Sequence, residues 1–292
     1  MYTMKNERKR VMKTFSLFER KKDYLVCVDS DGCAMDTMDV KHIRCFGPCM
    51  VDEWDLTEWR NEILERWNDI NLYTITRGIN RFKGLSMALC EIDAKYCRIE
   101  GAAELKEWTD SAPELSNGAL ERLIEEKPDK KIFSKALSWS RTVNESINKL
   151  PDEVKLPFPM VKEALELAHK YADVAIVSSA NLGAVLEEWE MYGLLDHVDV
   201  VMSQNDGSKA YCIQKLLQKG YINIKVVMCG DAPGDLAAAE KNGVFFYPIL
   251  VRKEKASWDE FISTGLTRLM DGSYGDEYQE KKIKDFYKNL GE

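Results

Sequence analysis

The 292-residue sequence predicts an α/β protein, a parallel sheet with helices on both faces, interrupted early by an all-helical insertion. Three observations predict it. A short apolar run, Tyr24 to Val28, follows the charged residues Lys21-Lys22-Asp23 and stops at Asp29-Ser-Asp31-Gly32, the pattern of a strand buried on both faces and ending in a polar turn. From Met160 onward helical and strand-like segments alternate, and strands separated by helices pair in parallel. Between Asp36 and Leu156 no convincing alternating strand occurs, so this block reads as a separate helical unit. The expected boundaries are therefore residues 1–35 with 157–292 for the sheet unit, and 36–156 for the insertion.

In the insertion, Asp55 with Glu58 three residues later offers a capping box, and Leu56, Trp59, Ile63, Trp67 and Ile70 follow at helical spacing. Ile79, Phe82, Leu85, Leu89 and Ile92 mark a second helix. Leu120, Leu123 and Ile124 mark a shorter third, which Lys127-Pro128 should stop. Ile132, Ala136, Val143, Ile147 and Leu150 mark a fourth before Pro151, and Leu156-Pro157-Phe158-Pro159 is a stiff return linker.

The sheet unit resumes with a helix over 160–171, a strand at Val174–Val177, a helix from Asn181 to about Met191 and a strand at Val198–Met202. A helix over 209–219 closed by Gly220, a strand at Val226–Cys229, a short helix over 235–241 and a last strand at Val244–Tyr247 complete it. The tail carries Trp258, Phe261 and Ile262, then Ile283, Phe286, Tyr287 and Leu290 at helical spacing. These predict two helices packed on the core or on a partner subunit, and the oligomeric state stays open.

Composition limits the function. Lys and Arg number 41 against 49 Asp and Glu, a formal net charge of −8, which argues against nonspecific binding to nucleic acid or to an anionic membrane. No apolar run is long enough to cross a bilayer, and residues 1–22 lack the apolar centre of a secretory signal, so a cytoplasmic location is expected. Eight scattered cysteines, with Cys27 and Cys229 in strands, suit buried thiols in a reducing compartment. His42, Cys45 and Cys49 supply three ligands at no standard zinc spacing and read as structural or surface residues.

Polar groups recur where the strands end. Asp29 and Asp31 follow the first strand and Ser178 the second; Lys209 opens the helix after the third, and Asp231 and Asp235 follow the fourth. In open parallel sheets the functional crevice lies beyond the carboxyl ends of the strands. Singly, each group also fits a helix cap or a turn; jointly they match what phosphoryl transfer requires. A carboxylate such as Asp29 can attack phosphorus, and Asp31 can serve as general acid and base. Ser178, its neighbouring amides and Lys209 can stabilise phosphoryl charge, while Asp29, Asp231 and Asp235 offer hard oxygen ligands that favour magnesium. Ser179 and Asn181, beside Ser178, are candidate phosphate-binding positions. Arg77 and Arg81, in a basic cluster at a helix start of the insertion, are candidate ligands for a phosphorylated substrate or else part of a solvated face.

Asp29-Ser-Asp31-Gly, Val-Ser178, Lys209 and Gly230-Asp231-Ala-Pro-Gly-Asp235, in this order, resemble the four motifs of the haloacid dehalogenase (HAD) superfamily. The resemblance covers Tyr24 to Tyr247 and departs at Cys33, where many members carry Thr. It implies a Rossmann-like core, Mg2+, Asp29 as nucleophile, and Asp31 as acid/base with its carbonyl on the metal. The helical insertion would then be a cap domain. The expected activity is hydrolysis of a small phosphorylated metabolite through an aspartyl-phosphate intermediate. Two alternatives stay open, a phosphomutase of the same superfamily similar to β-phosphoglucomutase, and a noncatalytic binding protein that kept the fold.

Overall fold

A computed structural model describes residues 13–275 and 277–292. The start of the expected signal-free terminus, residues 1–12, lies outside them. The chain divides into two compact units, Met1–Thr37 with Glu153–Glu292, and Met38–Asp152.

The first unit is built on a five-stranded, wholly parallel sheet, β1 (Tyr24–Val28), β2 (Ala172–Val177), β3 (Val200–Met202), β4 (Val226–Gly230) and β5 (Phe245–Pro248), in the order β3-β2-β1-β4-β5. β1 lies at the centre, with Val28 beside Ile176 of β2 and Cys229 of β4. Its residues Leu25 to Val28 are buried because both faces are covered, which explains a run that is apolar throughout rather than alternating. The order reverses at β1: the chain leaves it towards β2 and β3, then returns to its other side with β4. The crevice beyond the strand ends opens at such a reversal.

The helices in chain order begin in the second unit with α1 (Met38–Lys41), α2 (Gly47–Glu53), α3 (Arg60–Asn68), α4 (Arg81–Lys95), α5 (Ala102–Ser111), α6 (Asn117–Glu126) and α7 (Lys131–Asn148). Each predicted helix here is present, but Asp55 does not cap one. It adopts a left-handed φ of 55°, and α3 starts at Arg60 after a 3-10 turn. Local turn chemistry won over the capping-box pattern. α5, whose apolar spacing is less regular, was not anticipated. Phe46, Trp67, Phe82, Phe133 and Trp139 close the core of this unit. π-helical turns at His42–Phe46 and Asp69–Tyr73 extend α1 and α3.

In the first unit α8 (Val161–Tyr171), α9 (Leu182–Met191), α10 (Lys209–Leu217) and α11 (Pro233–Asn242) connect the strands. α11 begins two residues before Asp235 because Pro233 occupies its first turn, where a missing N–H costs nothing. Gly243 ends it at φ 61°. The third strand begins at Val200, not Val198. The tail forms α12 (Glu254–Glu260), continuing through a π turn into α13 (Leu266–Asp271), and then α14 (Glu277–Asn289). Trp258, Phe261 and Phe286 are buried, so the tail packs on the core of its own chain. The Phe286 ring meets Phe246 of β5 edge-on at 5.2 Å.

The two connections that lead away from the sheet unit pair with each other. Asp36 N–H donates to Leu156 O at 2.7 Å and Phe158 N–H to Ala34 O at 2.9 Å. No helix among the described residues is long and apolar enough to cross a membrane.

Candidate active site

β1 delivers Asp29 to the end of the central strand, where its amide still donates to Cys229 O at 3.0 Å. The chain then turns sharply. The amides of Cys33, Ala34 and Met35 converge on the Ser30 carbonyl at 3.3, 3.0 and 2.8 Å, and Gly32 takes a φ of 82° that a side chain would oppose. The turn separates the two carboxylates. Asp29 is buried, whereas Asp31 is half-buried and accepts a hydrogen bond from Thr37 Oγ1.

β2 ends at Val177, and Ser178 follows it, buried beside β1, its Oγ accepting the Ala180 amide at 3.1 Å. Ser179 and Asn181 are exposed on the turn that follows, and Asn181 caps α9 by accepting the Gly183 amide at 2.9 Å. β4 ends at Gly230 and presents Asp231, while the first turn of α11 folds Asp235 back so that its Oδ2 accepts the Ala232 amide at 3.1 Å. A Cβ on Gly230 would overlap the Asp235 side chain, which is why this strand ends in glycine.

Lys209, from the start of α10, joins these groups. Its Nζ lies 2.9 Å from Asp29 Oδ2 and 2.6 Å from Asp235 Oδ1. Burial alone would lower its pKa, but the two carboxylates outweigh burial and hold the ammonium above its ordinary value. Burial pushes the Asp29 carboxyl well up; Asp235 and Asp231 add to this, and Lys209 opposes it.

Among the described residues, Asp29, Asp231 and Asp235 form a group of buried carboxylates each offering one oxygen, with these oxygens all within 4.8 Å of one another. Three buried carboxylates, two of them paired with Lys209, crowd like groups into a low-dielectric site, and an all-oxygen donor set suits a hard divalent cation. The residues present therefore fit such an ion. The structure thus brings together Asp29, Ser178, Lys209, Asp231 and Asp235 at the ends of adjacent parallel strands.

Arg77 and Arg81 belong to the helical unit, and their described hydrogen bonds stay within it. Arg77 is buried and donates to Leu72 O at 2.6 Å. Arg81 donates to Ser140 Oγ at 3.0 Å and Asn144 Oδ1 at 2.8 Å, with its guanidinium 5.0 Å over the Phe46 ring. The cysteines are all free thiols, and His42 stacks on Phe46 at 4.5 Å. Sequence reasoning missed Thr37 as a partner of Asp31, and Trp189 and Trp258, whose indoles reach the turn that carries Asp29 and Asp31. Only their apolar spacing was visible, and it reports burial rather than hydrogen bonding.

No curated protein matches the sequence. Among solved structures, a hydrolase of the haloacid dehalogenase-like family from Streptococcus pneumoniae superposes with a TM-score of 0.50 at 10% identity, over 80% of this chain and 90% of that one. A Lactobacillus delbrueckii protein provisionally named phosphoglycolate phosphatase gives 0.48 at 15% identity, over 77% and 85%. A Thermotoga maritima protein provisionally named β-phosphoglucomutase gives 0.44 at 18%, over 77% and 84%. The family model for haloacid dehalogenase-like hydrolases matches residues 106–249, which hold Ser178, Lys209, Asp231 and Asp235; Asp29 and Asp31 precede the match and rest on geometry. Residues 106–249 thus match the haloacid dehalogenase-like hydrolases, and the parallel sheet shares the fold of the Streptococcus pneumoniae protein, with the Asp29 turn standing ahead of the match at β1.

Proposed function

We propose that this protein is a Mg2+-dependent phosphatase acting on a small phosphorylated metabolite. The observation that carries the reading is Lys209 bridging Asp29 and Asp235 beside Asp231, a nucleophile, a cation and two further carboxylates gathered at one point. Asp29 Oδ attacks phosphorus in line with the leaving oxygen, and Asp31 gives that oxygen a proton as the P–O bond breaks. The product is an acyl phosphate on Asp29. Asp31, now a carboxylate, removes a proton from water, which attacks the acyl phosphate, releases inorganic phosphate and restores Asp29.

Ser178 Oγ–H and the amides beyond it donate to the non-bridging oxygens, with Lys209 adding positive charge. Asp29, Asp231 and Asp235, with the Asp31 carbonyl, would hold Mg2+, which when bound neutralises charge on the transferring group. Thr37 donating to Asp31 fixes the acid/base carboxyl in one orientation. In this reading residues 36–156 act as a cap, Ser179 and Asn181 flank the phosphate, and Arg77 and Arg81 contribute to substrate recognition.

The test is turnover of p-nitrophenyl phosphate with Mg2+, with EDTA and in Asp29→Asn, followed by a panel of phosphorylated metabolites. Release of phosphate that needs both Mg2+ and Asp29 supports the reading. Absence of release from every ester overturns it, and isomerisation without release would make the enzyme a mutase.

A further inference from the structure

Two buried tryptophans outside the proposed chemistry direct their indole N–H groups at the turn that carries Asp29 and Asp31. Trp189, on α9, donates to Ser30 Oγ at 2.9 Å. Trp258, on α12, donates to the Cys33 carbonyl at 3.0 Å. Both indoles and both acceptors are fully buried, so each bond forms in a medium where leaving either partner unmade is costly.

The acceptors bracket Asp31. Ser30 precedes it and Cys33 follows it by two residues, and the turn between them is closed on the Ser30 carbonyl by three amides. Ser30 and Cys33 are thus fixed from two different elements. One is the helix that follows Ser178. The other is the tail beyond β5, which is itself anchored: Tyr247 Oη–H donates to Ser257 O at 2.8 Å, and the Leu250 amide donates to Ser257 Oγ at 3.0 Å. Trp258 also packs edge-on against Phe261 at 5.7 Å.

We propose that Trp189 and Trp258 are positioning residues that clamp the nucleophile turn. The C-terminal helical extension, through Trp258, is then part of the catalytic apparatus rather than an appendage. The bonds are made to a hydroxyl and a carbonyl of the turn, not to the reacting groups, so they set where Asp29 and Asp31 sit without touching substrate. Displacement of a reacting group by a fraction of an ångström is enough to slow a reaction substantially while leaving binding intact.

The kinetic part of this inference rests on the phosphatase reading; the structural part does not. The test compares Trp258→Phe and Trp189→Phe, which keep an aromatic ring but remove the donor, with Phe261→Leu, which opens a cavity in the same cluster and keeps both indoles. Each variant is followed by hydrogen–deuterium exchange of the segment spanning residues 29–36 and by steady-state turnover of p-nitrophenyl phosphate with Mg2+. The expected result is faster exchange of that segment in both Trp variants, and a kcat lower by about 10-fold with KM within about 2-fold of wild type. Phe261→Leu lowers the melting temperature but changes neither readout. Unchanged exchange in both Trp variants overturns the clamp, as does Phe261→Leu reproducing their effect. If the wild type hydrolyses no ester, the phosphatase reading fails while exchange still decides the clamp.

Discussion

Lys209 Nζ lies 2.6 Å from Asp235 Oδ1, and that carboxylate is fully buried. The pair sets the electrostatics of the site, because the same ammonium reaches Asp29 at 2.9 Å. Removing the ammonium leaves buried carboxylates without their cation. Lys209→Ala is expected to cost about 3–5 kcal/mol in the absence of divalent ions, measured by urea denaturation. Stability equal to wild type would show that the Lys209 ion pairs contribute nothing to the fold.

Metal binding has a readout independent of turnover. Added Mg2+ should raise the melting temperature, by an amount equivalent to about 2.7 kcal/mol at 100 times the dissociation constant. Asp231→Asn and Asp235→Asn should abolish the increase. Calorimetric scans with Mg2+ and with EDTA check this, and an increase that survives both substitutions would place the ion elsewhere.

Asp29→Asn keeps the shape of the side chain and removes the carboxylate that we propose as nucleophile. Turnover should fall by at least about 10³-fold. Relief of the cost of burying a carboxylate, to which Asp235 and Asp231 add and which Lys209 opposes, should leave the fold at least as stable as wild type, measured in the same scan without metal.

Gly230→Ala places a methyl group against Asp235. The overlap should cost about 1–3 kcal/mol by moving Asp235, and Mg2+ affinity should fall with it. Titration calorimetry reads the affinity, and wild-type binding would show that Asp235 is not a ligand.

Acid sensitivity should localise at the opposite end of the sheet. Burial raises the Asp199 carboxyl, but the Val174 amide, His169 and Lys21 together outweigh it and hold the group below its usual range. A depressed folded pKa gives stability that is complete above the unfolded value of about 3.9 and is lost as pH falls through the lower folded value. Asp199→Asn should therefore destabilise the protein at pH 7 and converge on wild type below about pH 3.9. Denaturation curves across that range test it.

Much of the sheet unit was legible in the sequence, because strands buried on both faces must be apolar throughout and the helices between them must cover those faces. The run Tyr24–Val28, its arrest at Asp29 and the recurrence of polar groups after later strands placed five site residues in order along the chain. Helix spacing likewise fixed Phe82, Leu85, Leu89 and Ile92 as a buried stripe. Start signals were weaker: Asp55 followed by Glu58 has the form of a cap, yet a left-handed Asp55 serves a turn instead.

What the sequence determined by itself was which polar residues follow each strand, since residue types and their order along strands are local properties. Tertiary structure decided the rest: that Lys209 lies between Asp29 and Asp235, that Thr37 meets Asp31, and that Trp189 and Trp258 close on the turn between Ser30 and Cys33. Trp258 is 225 residues from Cys33, and a hydrogen bond over that separation exists only once the sheet has brought both ends of the chain to the same strand end.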